Sequence, residues 1–254
     1  MSVVESKAGK FEGLLQNGCH QFFGIPYAKY YQRWEESFLI EEDICFKASK
    51  KGDSAPQTRS DDQSQSGASF FQDRSLSKQS EDCLTLNICS NNINAKNPVM
   101  IWIHGGALVT GGSSSIMYDL EHLAKKGIVV VSINYRLGPL GFLRLDEATN
   151  GQINSSGNEG LMDQRNAIKW VKENISSFGG DPNNITIFGE SAGSWSCNLQ
   201  IAAGHNNLFQ KAICQSGGLD AIATKEKANQ WAELFIDQFE KDGHKVSDLR
   251  SCDW

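Results

Sequence analysis

An α/β fold, with a mostly parallel central sheet, helices on both of its faces and a small β region ahead of it, is predicted for this 254-residue chain by three observations. Short runs rich in Val and Ile recur at 84–89, 99–103, 128–134, 185–188 and 211–214, as expected for strands buried on both faces. Segments with helical apolar spacing accompany them, clearest at 159–174 and 225–239. Strands that alternate with helices imply parallel pairing, because each crossover has room for a helix. With 39% apolar residues and no internal repeat, the chain is long enough to bury one large core or two small ones.

Taken in order, the first fifty residues read as short strands with glycine turns, Phe22-Phe23-Gly24-Ile25-Pro26-Tyr27 among them. From 48 to 80 the composition shifts to Ser, Gln, Asp and Lys, broken only by Phe70-Phe71, which predicts a long polar surface loop. The run Val99-Met100-Ile101-Trp102-Ile103 leads straight into His104-Gly105-Gly106-Ala107. Within 159–174, Leu161, Gln164, Ile168, Val171 and the following Ile175 share a stripe, and Gly179-Gly180-Asp181-Pro182 ends the helix. Ile185-Thr186-Ile187-Phe188 precedes Gly189-Glu190-Ser191-Ala192-Gly193, after which a helix begins near Ala192. In 225–239, Ala228, Trp231, Leu234, Phe235 and Phe239 fall on one stripe.

Charge and cysteine usage narrow the function. The net charge is −6, and Lys and Arg are scattered, so nothing attracts a phosphate backbone and a nucleic-acid partner is not expected. The first ten residues lack a basic and an apolar signal region, which makes a cytoplasmic location the expectation. No apolar stretch nears the ~18–20 residues that a membrane span needs. The seven cysteines form no C-x-x-C pair, and Cys89 and Cys214 lie inside apolar runs. They read as reduced thiols behaving as small hydrophobes. The five histidines show no metal-ligand spacing, so no metal is expected.

The pentapeptide at 189–193 is G-x-S-x-G between a strand and a helix. So sharp a turn lifts a serine hydroxyl above the sheet, and Ser191 reads as a nucleophile. The pentapeptide alone is equally an ordinary Gly/Ser loop; the flanking strand and helix decide for the nucleophile. The small-residue loop after Ile103 supplies the complement, since backbone N–H groups of Gly106 and Ala107, with that of Ala192, can face one oxygen atom. Such donors, fixed in advance, each stabilise a tetrahedral intermediate by roughly 2.7–4 kcal/mol. A ligand-free Gly turn is the plain alternative. An Ala107→Pro exchange is expected to delete one donor while leaving the fold intact.

With these motifs in place, the chain resembles the type B carboxylesterases, the branch of the α/β-hydrolases that holds carboxylesterases and cholinesterases. The resemblance covers nearly the whole length. It rests also on Phe23-Gly24-Ile25-Pro26-Tyr27-Ala28, Glu81-Asp82-Cys83-Leu84, Asn134-Tyr135-Arg136-Leu137-Gly138, Gly160-Leu161-Met162-Asp163-Gln164, Phe178-Gly179-Gly180-Asp181-Pro182 and Gln215-Ser216-Gly217. It implies hydrolysis of a small-molecule carboxylic ester through an acyl group on Ser191, with no cofactor, and leaves the oligomeric state open. Ala107 is similar to the bacterial para-nitrobenzyl-esterase-like members. Ala55 stands where secreted animal members carry a cysteine, which leaves Cys83 without its usual partner, and Leu108 stands where an aromatic residue is common.

The resemblance also implies that 1–254 is the N-terminal part of one domain, with the C-terminal half missing. In the family the order is Ser, then an acid that is usually Glu, then His, and both partners lie beyond residue 254. The chain alone is therefore expected to be nearly inactive and to expose apolar residues such as those of 231–239. His205 falls about 20 Å from Ser191 if 192–203 is helical. His104 reads as a support for the oxyanion loop, and Glu190 as a buried, hydrogen-bonded elbow residue. Ser216 reads as part of a polar network behind the site or as a plain turn serine. A non-catalytic binding protein, similar to the neuroligins, and a truncated relic are the competing readings; neuroligins lack the elbow serine, which Ser191 provides.

Overall fold

The structure, a computed structural model, describes residues 1–41, 44–58, 78–205, 207–219 and 222–252. Its strands are β1 (Ser2–Ser6), β2 (Gly9–Gln16), β3 (Cys19–Pro26), β4 (Ala28–Lys29), β5 (Phe38–Leu39), β6 (Ile44–Phe46), β7 (Thr85–Ser90), β8 (Asn97–Ile103), β9 (Val129–Ile133), β10 (Gly180–Glu190) and β11 (Lys211–Gln215). Its helices are α1 (Leu120–Ala124), α2 (Gly138–Phe142), α3 (Glu159–Asn174), α4 (Ala192–Ala202) and α5 (Lys225–Lys241).

One sheet joins them in the order β1-β2-β3-β7-β9-β8-β10-β11, with β6 beside β2, while β4 and β5 pair separately. The first half is antiparallel, from β1 to β2, β3, β7 and on to β9. The second half is parallel: β8 pairs with β9 and β10, and β10 with β11. That division follows the connections. Hairpin-length turns link β1 to β2 and β2 to β3, and long connections lead from β3 to β7 and from β7 to β9, whereas α1, α2 with α3, and α4 carry the chain back between the later strands, as parallel pairing requires. The predicted α/β sheet with a small β region ahead of it is thus present, and the β region continues the same sheet.

Phe11 and Phe22 of that region pack on Trp170 and Phe178, with ring centroids 5.0 Å apart and edge to face for Phe22 and Phe178. These four aromatics weld the early strands to α3. Helix α3 has the predicted bounds, and Gln164, Ile168 and Val171 are buried with Ile175 beyond it. Its first turn is closed by the Glu159 carboxylate, which accepts from the backbone N–H groups of Ser156 and Gly157. Asp163 on the same helix receives the Arg136 side chain at 2.7 and 2.8 Å, both residues fully buried, and the guanidinium also lies over the Tyr30 ring. A bidentate pair with this much added support is held in one geometry.

Burial on both faces holds for β7 and β9 and fails at β11. Ile213 is 44% exposed, and Cys214, read from its apolar run as a buried thiol, is exposed. The reason is position: β11 is the edge strand of the sheet beyond β10, packed by α4. Helix α5 presents Ala232 and Ile236 to a small cluster around Trp34, Leu140, Leu145 and Leu249, leaving Trp231 50% and Leu234 67% exposed. Of the predicted stripe, Phe235 and Phe239 pack against that cluster, while Trp231 and Leu234 show the exposure expected within 231–239.

Of the polar stretch 48–80, residues 59–77, including Phe70-Phe71, lie outside the described residues. Its ends depart from a surface loop. Ala48, Ser54 and Ala55 are buried, Phe23 N–H donates to the Ala48 carbonyl, and Ser54 bridges Gln79. These contacts deliver Gln57 to the loop that follows β8.

Candidate active site

Strand β10 ends at Glu190 and α4 begins at Ala192, so one residue makes the whole turn. Ser191 takes φ 55° and ψ −121°, a left-handed conformation that costs a non-glycine residue about 1–3 kcal/mol and persists only where its surroundings impose it. Here they do. The Ser191 N–H donates to the Gln215 carbonyl at 2.8 Å, and the Ser191 carbonyl accepts from the Trp195 N–H at 3.0 Å. A Cβ on Gly189 would lie 2.5 Å from the Gly193 carbonyl carbon, and one on Gly193 would lie 2.1 Å from the Ile103 oxygen. The two glycines of the pentapeptide let strand, helix and neighbouring strand meet at one point. Ser216, with φ 57°, is an exposed turn residue, and the next carbonyl, that of Gly217, accepts from Ser194 Oγ and Asn198 Nδ2.

The loop after β8 abuts this elbow. A Cβ on Gly105 would stand 3.4 Å from Ser191 Cβ and 2.7 Å from the Glu190 carbonyl oxygen. Gly106, Ala107 and Leu108 follow with φ of 111°, 54° and 63°. This coil is tied by Val109 and Thr110 N–H groups donating to the Gly106 carbonyl, and by Gly138 N–H donating to that of Leu108. Among the described residues, no protein acceptor receives the backbone N–H of Gly106, Ala107 or Ala192; Ala107 is exposed, Gly106 half-buried and Ala192 fully buried. The structure thus brings the predicted loop and elbow together. It also corrects the Ala107→Pro expectation: proline is locked near φ −65° and cannot adopt +54°, so that exchange would break the loop.

Three side chains hold the loop, and two of them, Tyr135 and Gln57, were not singled out for this role from the sequence. Tyr135 Oη donates to the His104 carbonyl at 2.8 Å, while its ring stacks on the His104 imidazole at 4.5 Å. Gln57 grips Gly111 reciprocally: Nε2 donates to the Gly111 carbonyl and Oε1 accepts its N–H, both at 2.9 Å. The third, His104, does act as the support it was read to be. It is 1% exposed, and its Nδ1 lies 2.8 Å from the Gly105 carbonyl, which can only accept, so Nδ1 carries the proton. Tyr135 was visible only as part of Asn134-Tyr135-Arg136. Gln57 carried no signal beyond following Pro56.

Burial lowers the His104 pKa from 6.5 to about 4, against an opposing contribution from its bond to Gly105. Above pH ~6.5 the imidazole is neutral in folded and unfolded chains alike, and its contribution to stability is complete. As the pH falls from there to about 4, the unfolded chain takes up a proton that the folded chain refuses. Stability then drops by up to ~1.4 kcal/mol per pH unit from this group. Urea midpoints at about pH 7.5 and about pH 5 should therefore differ more in the parent chain than in a His104→Gln variant; equal differences would contradict the neutral, buried imidazole.

No other imidazole is close to taking the base's place. His20 Nδ1 pairs with Ser2 Oγ, His122 with Asp119, and His205 with Gln200 Oε1 beyond the far end of α4. His244 stacks on Phe239. Glu190 is exposed instead of buried and hydrogen-bonded: β10 alternates its faces, and the last residue of the strand falls on the less covered one. Leu108 lines a cavity of about 390 Å³ whose walls include Phe142, Leu161, Leu199, Ile222 and Trp231. Among the described residues, no group of three or more His, Cys, Asp or Glu side chains is placed to hold a metal ion, and no helix is long and apolar enough to cross a membrane.

A protein-family model described as the carboxylesterase family matches residues 1–252. The para-nitrobenzyl esterase of Bacillus subtilis (strain 168) is 43% identical over 242 residues, which cover 92% of this chain and 47% of that protein. The bile salt-activated lipase of Bos taurus is 46% identical over 181 residues, 66% of this chain and 29% of that protein. Among solved structures, one named PNB esterase aligns with a TM-score of 0.81 and 38% identity over 99% of this chain and 51% of that one. A carboxylesterase of Geobacillus stearothermophilus aligns with a TM-score of 0.85 and 36% identity, covering all of this chain and 51% of that one. The chain thus spans about half the length, or less, of the relatives it matches.

Proposed function

The chain belongs to the carboxylesterase family, and from that membership we propose that it supplies the nucleophile and the oxyanion donors of a serine carboxylic ester hydrolase. Ser191 Oγ attacks the ester carbonyl and gives up its proton to an imidazole base. The carbonyl oxygen, now an oxyanion, accepts from the N–H groups of Gly106, Ala107 and Ala192. Collapse of the intermediate breaks the bond to the alcohol, which departs with the proton, and the acyl group stays bonded to Ser191 Oγ. Water then attacks that acyl group by the same route, releasing the acid and restoring the hydroxyl. No described histidine serves as the base, so the reading assigns turnover to a polypeptide in which an imidazole reaches Ser191.

The observation that carries the reading is the contact between two motifs 85 positions apart in origin: the Gly105–Ala107 coil and the left-handed Ser191 elbow, with three unclaimed N–H groups between them. The ligand is a small ester. The acidic chain and its scattered basic residues argue against nucleic acid, and the unpaired cysteine pattern favours a cytoplasmic setting. A fluorophosphonate or sulfonyl fluoride applied to a polypeptide that carries these residues and hydrolyses esters should leave its adduct on Ser191, as peptide mass spectrometry would read. An adduct on another serine, with Ser191 untouched and activity lost, would remove the central assignment.

A further inference from the structure

Cys214 and Cys197 meet behind the nucleophile. Cys214 is the Cα partner of Gly189 across the parallel β10–β11 pairing, so both point to the same face of the sheet. That face is the one α4 covers, because a Cβ on Gly189 would strike the backbone of Gly193. Ala212, two residues before Cys214 on the same face, packs against the main core. Cys197 stands four residues after Gly193 on α4, one turn along the same helix face, and is fully buried in that core. The two thiols are near enough that the Cys214 sulfur, after burial, helps to push the Cys197 thiol above its ordinary pKa.

The pair is asymmetric, since Cys214 is exposed and Cys197 is not. We propose that Cys197 and Cys214 form an oxidisable dithiol site, closed to an intramolecular disulfide by a peroxide, that fastens the nucleophile-bearing helix α4 to β11. The exposed Cys214 sulfur attacks the peroxide, the O–O bond breaks, and Cys214 becomes a sulfenic acid with release of one water. Cys197 sulfur then attacks the Cys214 sulfur. The S–O bond breaks, and the departing hydroxide takes the Cys197 proton as a second water. Two thiols lose two electrons and two protons, and hydrogen peroxide gains them. The bond closes a loop containing the α4–β11 connection, next to the existing Ser191 N–H to Gln215 bond.

The molecule contains its own control. Cys19 and Cys89 also have interacting thiols, but they are 0% and 1% exposed. The fully reduced 254-residue chain should be treated with hydrogen peroxide in its folded state, its remaining thiols alkylated and the digest read by mass spectrometry. The expected product is a Cys197–Cys214 cross-linked peptide lacking two hydrogens, roughly tenfold more abundant than any other pairing. It should vanish in Cys214→Ser and in Cys197→Ala. Because Cys214 is exposed, the Cys214→Ser chain should keep its circular dichroism. Chain unfolded in urea should give mixed pairings instead. A dominant Cys19–Cys89 bond, sulfinic acid on Cys214 beside an unmodified Cys197, or the same product distribution with and without urea would each overturn the proposal. The readout is independent of ester hydrolysis, so it stands or falls apart from the proposed function.

Discussion

The 254-residue polypeptide on its own is expected to hydrolyse p-nitrophenyl acetate no faster than its Ser191→Ala variant. A serine hydroxyl is a weak nucleophile until a base takes its proton, and losing one member of such a unit costs about 10⁴–10⁶ in rate. Every imidazole in the chain is engaged away from Ser191. His104 gives its Nδ1 proton to the Gly105 carbonyl and is held neutral by burial, and the other four are paired with Ser2, Asp119 and Gln200 or stacked on Phe239. On the proposed reading, the polypeptide carries the N–H groups assigned to the oxyanion, and none of its imidazoles is placed to take the Ser191 proton. Matched steady-state assays of the two proteins decide it. Turnover that disappears with Ser191→Ala would mean that one of these five imidazoles moves to the elbow, and His104, which starts nearest, would be the first to replace by Gln.

What the sequence made legible is the part governed by local chemistry. The elbow declares itself because only glycine fits at 189 and 193, where strand, helix and neighbouring strand touch. Helix α3 was predicted to the residue because an apolar stripe, an acidic first turn and a glycine after its end all agree. The strand ends were less clear. The structure starts β10 at Gly180, within the Gly-Gly-Asp-Pro read as a helix stop, since Gly180 pairs with Asn97 before a register shift brings Ile185 onto Val99. A turn-rich string offers no local sign of such pairing. Burial was misjudged at Cys214 and Glu190 for one reason, whereas the exposure of Trp231 and Leu234 on α5 was expected. An apolar run says that a face can be covered, and the covering residues belong to other elements. The Gln57 grip on Gly111 joins residues 54 positions apart and leaves no local pattern at either end.

Replacing Gly106 by Ala is expected to lower kcat by about 10²–10³-fold, with KM changed far less, in an ester-hydrolysing polypeptide that carries these residues. The methyl group would sit 2.2 Å from the Thr110 carbonyl oxygen and 2.8 Å from its carbonyl carbon, in a backbone held at φ 111°. Backbone cannot yield as a side-chain tip can. The coil that closes through Val109 and Thr110 N–H onto the Gly106 carbonyl must open, and the N–H groups of 106 and 107 turn with it. Those donors matter most when the carbonyl oxygen becomes an oxyanion, so their misdirection falls on the rate of acyl transfer more than on ester binding. Ala107→Gly is the companion change: glycine adopts φ 54° with less strain than alanine, keeps its N–H, and should leave kcat within about twofold. Circular dichroism must show both variants folded. An unchanged kcat in a folded Gly106→Ala protein would mean that this loop does not face the oxyanion, and equal losses in the two variants would trace the effect to loop stability instead of donor direction.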